Sequence, residues 1–184
     1  MRHKFVAERE DSLLLVVDMQ EAMLKVVDRW KDTTARIGRL IKAAKILNIP
    51  ILATEQYKKG LGGTIPQVSG LLREEIFFQK EHFSACLEDG FLDAVRKTNR
   101  SQIVITGMET HVCVLQTGLD LIRHGYQLHL VRNAAASRFK EDWETAVEIF
   151  RDAGAVISST EIVIFQWARR SNTKEFRDLL PIVK

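Results

Sequence analysis

The segment Leu13-Leu14-Leu15-Val16-Val17 decides the fold, because it places five consecutive apolar residues between Asp11-Ser12 and Asp18. A strand that is apolar on both faces belongs in the interior of a parallel sheet, where helices cover it on both sides. The run is far shorter than the ~20 residues that a membrane-spanning helix needs. The segment therefore predicts a central parallel strand that ends at Asp18.

Short apolar runs alternate with amphipathic helical stretches through the rest of the chain, which is the pattern of consecutive βαβ units. Further strands are predicted at residues 51–53, 76–78, 103–105, 128–131 and 155–157. Helices are predicted at residues 33–48, 91–97, 110–125, 143–150, 162–167 and 174–180, and a long glycine-containing loop at residues 55–70. We therefore expect an α/β fold: a single domain over residues 1–184, with a six-stranded parallel sheet and helices on both faces.

The composition excludes several classes of protein. The 184 residues are 46% apolar and 28% charged, which is typical of a globular domain and not of a disordered chain. The net charge of +3 is too small to predict a nucleic-acid partner. Residues 1–11 lack an apolar signal-peptide core, and the two cysteines have no metal-ligand spacing. These features predict a reduced, soluble protein in the cytoplasm, with no membrane partner.

Three chemically active side chains follow predicted strands. In an open parallel sheet, ligands bind at the carboxyl ends of the strands, near the point where the strand order reverses. Asp18 ends the first strand, Lys80 follows the third, and Cys113 lies in the turn after the fourth. The topology therefore predicts that an acid, a base and a thiol meet at one edge of the sheet.

The placement of Cys113 predicts a reactive thiol. With Thr110 as the N-cap, Cys113 is the third residue of a helix, where free amides and the helix dipole lower a thiol pKa. The alternative is a small buried hydrophobic residue. Asp18 has the alternative role of a helix cap and Lys80 that of a surface lysine, whereas Gln20 fits a substrate contact and a solvated residue equally well.

The remaining candidates are expected to be structural. Cys86 is predicted to be structural, and the four histidines that follow the third strand are expected at the surface or hydrogen-bonded: His82, His111, His124 and His129.

Three ordered motifs resemble the isochorismatase-like cysteine hydrolase superfamily, and the similarity covers nearly the whole chain. They are LLVVDMQ at residues 14–20, KEHFSAC at residues 80–86 and TGMETHVCV at residues 106–114. TEQY at residues 54–57, the glycine loop after it and EIVIF at residues 161–165 resemble a subgroup of isochorismatase-domain proteins related to nicotinamidases.

The resemblance implies a Rossmann-like three-layer fold and a catalytic triad of Asp18, Lys80 and Cys113. It also implies a cis peptide bond between Met108 and Glu109. In such a site the backbone amides of Glu109 and Cys113 form the oxyanion hole. Members of the superfamily self-associate, so the resemblance also implies a homo-oligomer.

Two departures from the superfamily narrow the expected activity. Nicotinamidases carry metal-binding histidines where this chain reads Glu55-Gln56-Tyr57-Lys58-Lys59, so we expect no metal and no cofactor. Isochorismatases that cleave a vinyl ether usually lack the cysteine, whereas this chain retains Cys113. The expected activity is hydrolysis of a C–N bond in a small amide-like molecule through a thioester.

The substrate pocket is expected to include four residues: Gln20, Gln56, Tyr57 and Phe83. Two alternatives stay open: a non-catalytic binding or scaffolding protein of the same fold, and an ether hydrolase of the isochorismatase type.

Overall fold

The first strand, β1 (Ser12–Val17), is buried along its whole length and lies inside the sheet. In this computed structural model, which describes residues 3–72 and 77–183, its side chains alternate between two hydrophobic clusters. Leu14 and Val16 belong to one cluster, whereas Leu13, Leu15 and Val17 belong to the other. The unbroken apolar run is therefore explained by burial on both faces of the sheet.

The sheet has six strands, and all five strand pairings are parallel. The other strands are β2 (Ile51–Gln56), β3 (Phe77–Lys80), β4 (Gln102–Met108), β5 (Gln127–Ala136) and β6 (Val156–Ser158). Their order is β3-β2-β1-β4-β5-β6, which confirms the predicted six-stranded parallel sheet. Ile76, which we predicted as part of the third strand, lies outside the described residues.

Helices cover both faces of the sheet, as predicted. The helices are α1 (Trp30–Ile46), α2 (Lys58–Leu61), α3 (Pro66–Ser69), α4 (Phe91–Lys97), α5 (Leu115–Arg123), α6 (Lys140–Asp152), α7 (Thr160–Ala168) and α8 (Lys174–Val183). α1, α7 and α8 bury their apolar residues with Leu14 and Val16, whereas α4, α5 and α6 pack on the opposite face. None of these helices is long and apolar enough to cross a bilayer.

The predicted loop at residues 55–70 is wrong in part. β2 continues through Glu55 and Gln56, and the two short helices α2 and α3 occupy much of the remainder. Pro66 is the first residue of α3, where its fixed φ angle fits the helix and its missing N–H costs nothing. Much of this segment is therefore regular secondary structure, and α3 packs against α1.

The strand order reverses between β1 and β4. Asp18 and Cys113 follow these two neighbouring strands. Gly107 pairs with Val17 there and has a φ of 127°. A Cβ atom at Gly107 would lie 2.0 Å from the Val17 carbonyl oxygen, so only glycine allows the two strands to approach this closely. Asp18 and the turn that holds Cys113 therefore emerge side by side.

Candidate active site

The structure brings Asp18, Lys80 and Cys113 together at the carboxyl edge of the sheet. Asp18 follows β1 with a φ of 46°, Lys80 is the last residue of β3, and Cys113 lies in the turn after β4. The Lys80 Nζ atom is 2.9 Å from Asp18 Oδ2. All three residues are at least 94% buried, and the charges of Asp18 and Lys80 both act on the thiol.

The two carboxylate oxygens of Asp18 have different partners in this cluster. Lys80 Nζ donates to Gln56 Oε1 at 2.5 Å and to the backbone carbonyls of His82 at 3.2 Å and Phe83 at 3.1 Å. These three bonds use every N–H of an ammonium group. Asp18 Oδ1 accepts a hydrogen bond from Thr54 Oγ1 at 2.6 Å, whereas Oδ2 is in an ion pair with Lys80 Nζ but accepts no aligned hydrogen bond from a described residue. Oδ2 is therefore able to accept a proton from a neighbouring group.

The pKa of Cys113 is raised, whereas the sequence predicted that it would be lowered. Burial and the negative charge of Asp18 raise the pKa of the thiol to about 12, although Lys80 acts in the opposite direction. The prediction of a lowered pKa is wrong because desolvation of a 6% exposed side chain outweighs the effect of the helix end. At neutral pH the resting site therefore holds a neutral thiol beside a buried ion pair.

The turn that carries Cys113 also differs from its prediction. Residues Thr110–Val114 form a π-helical turn before α5, and a cis peptide bond joins Met108 to Glu109. Glu109, not Thr110, occupies the cap position, and its carbonyl accepts hydrogen bonds from the amides of Val112 and Val114. The Thr110 hydroxyl is buried and has no hydrogen-bond partner in the described part of the chain, so it does not act as the predicted cap.

Gln20 has neither of the roles that the sequence allowed. Its side chain is fully buried, and Oε1 accepts a hydrogen bond from the Gln56 amide at 2.7 Å. Nε2 donates to the carbonyls of Gln56 at 2.9 Å and Gly62 at 2.7 Å. Because these bonds occupy both N–H groups and the oxygen, Gln20 holds the end of β2 and has no free group for a substrate.

Gln56 lies inside the cluster. Its Oε1 atom accepts the hydrogen bond from Lys80 and is 3.9 Å from Cys113 Sγ, while Nε2 donates to the Glu81 carbonyl at 2.7 Å. Gln56 is 8% exposed, so its main contacts are with the other site residues. The side chain therefore connects Lys80 to Cys113.

Tyr57 and Phe83 are the predicted pocket residues whose side chains reach solvent. Each is more than half exposed. Tyr57 lines a groove of about 760 Å³ that also contacts Lys80, and the Phe83 carbonyl binds the same ammonium. Asp18, Gln56 and Cys113 are not among the described residues that line this groove.

Thr54 and Glu55 were not predicted as site residues, because the second strand was expected to end at Ala53. Glu55 is buried, and its Oε1 accepts hydrogen bonds from the Thr64 amide at 2.7 Å and hydroxyl at 2.8 Å. Burial raises its pKa, but hydrogen bonds from Gln79, Thr64 and Lys58 prevail and lower the value to about 2. A longer second strand would have placed both residues at the active edge.

Of the residues predicted to be structural, Cys86 is half-buried, with its Sγ 3.8 Å from the Thr117 carbonyl oxygen. The expectation for His129 is wrong: its ring is fully buried in the middle of β5, and neither nitrogen has a partner among the described residues. The described parts of the chain hold no group of three or more His, Cys, Asp or Glu side chains arranged for a metal ion.

The chain is similar in sequence to known proteins over most of its length. The family model described as the isochorismatase domain matches residues 12–162. Isochorismatase family protein 1A of Dictyostelium discoideum is 35% identical over an alignment of 179 positions, which covers 93% of this chain and 85% of that protein.

Two solved structures show the same architecture. The MAR1 ribonuclease of Caenorhabditis elegans has a TM-score of 0.90 and 34% sequence identity, over 97% of this chain and 92% of its own. The YcaC product of Escherichia coli, described as an octameric hydrolase of unknown specificity, has a TM-score of 0.85 over 96% and 91% of the two chains. Its 24% sequence identity supports a shared fold alone.

Proposed function

This chain belongs to the isochorismatase family, and from that premise we propose that it is a cysteine-dependent hydrolase of a small amide-like molecule. The observation that carries the proposal is the burial of Cys113 beside the Asp18–Lys80 ion pair, with Gln56 Oε1 3.9 Å from the thiol sulfur and bonded to the Lys80 ammonium. A protonated thiol beside a carboxylate oxygen that is ion-paired but accepts no aligned hydrogen bond is suited to proton transfer at the moment of attack.

The first half of the reaction forms a thioester. As Cys113 Sγ attacks the carbonyl carbon of the substrate, its proton passes to Asp18 Oδ2. The backbone amides of Glu109 and Cys113 stabilise the oxyanion of the tetrahedral intermediate. When the C–N bond breaks, Asp18 returns the proton to the departing nitrogen, so ammonia or an amine leaves and the acyl group stays on sulfur.

The second half of the reaction releases the acid. Asp18, again a carboxylate, takes a proton from a water molecule that attacks the thioester. The tetrahedral intermediate collapses, the C–S bond breaks, and the proton returns to the sulfur of Cys113. Lys80 forms an ion pair with the Asp18 carboxylate and is itself fixed by the three hydrogen bonds of its ammonium.

The proposal assigns no metal or cofactor to the site. Glu55, the acidic residue nearest to the position of the nicotinamidase metal motif, is already bound by Thr64, Gln79 and Lys58. Its carboxylate would have to give up these bonds to hold a cation. The chemistry is therefore assigned to the thiol, the carboxylate, the backbone amides and water.

A matched pair of cysteine variants tests the proposal. The purified protein is screened against small amides, ureas and carbamates, and release of ammonia or amine is measured. Any substrate found is then given to Cys113→Ala and to Cys86→Ala. We expect Cys113→Ala to lose turnover by at least about a thousandfold and Cys86→Ala to retain it. Equal turnover by Cys113→Ala and the wild type would contradict the mechanism.

Phosphodiester cleavage is a second candidate function, because the C. elegans structure described as a ribonuclease is 34% identical over 97% of this chain. A single-stranded RNA substrate belongs in the same screen. RNA cleavage that survives Cys113→Ala, together with no activity on C–N bonds, would favour this candidate. A wild-type protein that binds a small amide but turns over neither class would instead favour the non-catalytic alternative.

We also propose that the protein is a homo-oligomer in the cytoplasm. The description of the E. coli structure as octameric supports self-association of this fold. Sedimentation velocity at two protein concentrations tests it: a single monomeric species at both would contradict the proposal.

A further inference from the structure

A groove of about 700 Å³ lies on the face of the sheet that α1 and α8 cover, and none of the three triad residues lines it. Its walls come from α1, from Leu71 after α3, and from Ile182 in the last turn of α8. The proposed reaction gives this groove no role, so its chemistry requires a separate explanation.

Every charged residue that lines the groove in the described part of the chain is basic. Lys31, Arg39 and Lys42 line it, and no acidic residue does so among the described parts of the chain. None of these three cations forms an ion pair with another described residue. Arg39 and Lys42 are three residues apart on α1, so their side chains are neighbours on one helical face. This pair is arranged to hold an anionic group.

Thr34 is a second and independent indication of a ligand. The residue is 93% buried and lines the groove, yet its hydroxyl has no hydrogen-bond partner among the described residues. A buried hydroxyl without a partner is unfavourable, and most such groups in proteins are satisfied. The hydroxyl oxygen has almost no accessible surface, so an oxygen atom of a bound molecule would supply the missing partner once the Thr34 side chain turns toward the groove.

The groove also offers an apolar surface between these polar groups. Leu71, Pro181 and Ile182 contribute apolar side chains, and Gly38 leaves the surface of α1 open toward Leu71. A Cβ atom at Gly38 would lie 3.6 Å from Leu71 Cδ1. A molecule that fits must therefore carry an apolar body in addition to its charge.

We propose that this groove binds an elongated organic anion. Arg39 and Lys42 hold its carboxylate or phosphate, its apolar body lies against Leu71 and Ile182, and a hydroxyl or carbonyl oxygen reaches Thr34. Thr34 is five and eight residues from Arg39 and Lys42, so at the helical rise per residue the two polar ends of the ligand are ~8–12 Å apart. The site is separate from Cys113 and does not depend on the proposed hydrolysis.

Calorimetric titration with 10-hydroxydecanoate tests the proposal, because this probe has a carboxylate and a hydroxyl at opposite ends of an apolar chain. We expect saturable binding to the wild type that weakens as salt is added. Decane-1,10-diol, which has the same length and no charge, is the comparison ligand, and we expect it to bind at least about tenfold more weakly.

Three variants locate the binding. Arg39→Glu with Lys42→Glu should weaken binding at least about tenfold, whereas Lys45→Glu, an exposed residue of α1 outside the groove, should leave it unchanged. Thr34→Val should weaken binding severalfold, while the free variant melts at or above the wild-type temperature, because the unpartnered hydroxyl is gone.

Absence of saturable binding to the wild type would overturn the proposal. So would equal binding of the diol, or equal binding to the folded Arg39→Glu, Lys42→Glu protein, because either result would indicate a merely apolar surface. Cys113→Ala should bind the probe as the wild type does. Loss of binding in that variant alone would place the probe in the triad site and would also contradict the proposal.

Discussion

Lys80 Nζ lies 2.9 Å from Asp18 Oδ2, and the two side chains are 0% and 5% exposed. A buried ion pair is costly to desolvate, and the attraction offsets this cost only where further hydrogen bonds satisfy both groups. Here Gln56 and two backbone carbonyls accept from the ammonium, and Thr54 donates to the carboxylate. The pair is therefore a fixed unit of the fold as well as the proposed centre of the chemistry.

Removing Lys80 alone should destabilise the protein strongly. Lys80→Met leaves the Asp18 carboxylate buried without its cation, and we expect the free energy of unfolding to fall by about 3–5 kcal/mol. Asp18→Asn combined with Lys80→Met should recover much of this loss, because no buried charge remains. Urea denaturation followed by circular dichroism measures both effects.

Lys97, an exposed residue of α4, supplies the control for Lys80. Lys97→Met should change the free energy of unfolding by less than about 0.5 kcal/mol. A Lys80→Met protein as stable as the Lys97→Met protein would show that the ion pair is not desolvated as the structure indicates.

Asp18→Asn should activate the thiol toward alkylation while it abolishes turnover. The Asp18 charge raises the pKa of Cys113, so its removal lowers this pKa and leaves Lys80 to favour the thiolate. Each unit of pKa decrease gives about tenfold more thiolate at neutral pH. The rate of iodoacetamide alkylation is measured from pH 6 to 10 in a Cys86→Ala background, so that Cys113 is the cysteine observed.

Slower alkylation of the Asp18→Asn variant at neutral pH would contradict this electrostatic assignment. Unchanged turnover with faster alkylation would show instead that Asp18 sets the pKa of Cys113 but transfers no proton.

The sequence predicted the architecture well because the unbroken apolar run of β1 indicates a strand that is buried on both faces of the sheet. It also placed Asp18, Lys80 and Cys113, since the residues after parallel strands share one edge of the sheet. It did not predict the pKa of Cys113, which depends on how deeply the thiol is buried. Local sequence indicates a helix end but does not give the depth of a side chain below the surface.

Glu55 should make stability depend on pH in acid. Its pKa is about 2 in the folded protein against an ordinary 4.5, so its contribution is complete above about pH 4.5 and is lost as the pH falls to 2. The difference corresponds to about 3 kcal/mol. We therefore expect the stability difference between wild type and Glu55→Gln to shrink over this range.

Chemical denaturation at several pH values from 2 to 6 measures the Glu55 difference. A wild-type advantage that stays constant across the range would contradict the role of Glu55 as an ionised anchor of the segment that holds Thr64.

His129 should give a second, separate pH dependence. Burial lowers its pKa from 6.5 to about 4, so the folded protein resists the protonation that the unfolded chain accepts. Stability from this group is complete above pH 6.5 and falls by about 3 kcal/mol as the pH decreases through 4. His129→Leu should lack this loss, and melting temperatures between pH 4 and 7 compare the two proteins. Parallel curves would show that His129 is hydrated or hydrogen-bonded in solution.

The burial of His129 and the role of Gln20 were not predicted from the sequence either, because both depend on tertiary packing. His129 follows Leu128 in a strand whose alternation predicts a solvent-facing polar residue, but α1, α7 and α8 cover that face of the sheet. The role of Gln20 depends on its bonds to Gln56 and Gly62, which are distant in the chain. Both are consequences of tertiary packing, and no local pattern encodes them.

Trapping the acyl intermediate tests the central claim most directly. The wild type is mixed with p-nitrophenyl acetate as an activated acyl probe, quenched in acid during turnover, and digested for mass spectrometry. We predict one acetyl group on the peptide that contains Cys113, and none there in Cys113→Ala. An acetyl group on Cys86 instead, or turnover of the probe with no acetylated cysteine, would contradict the proposed nucleophile.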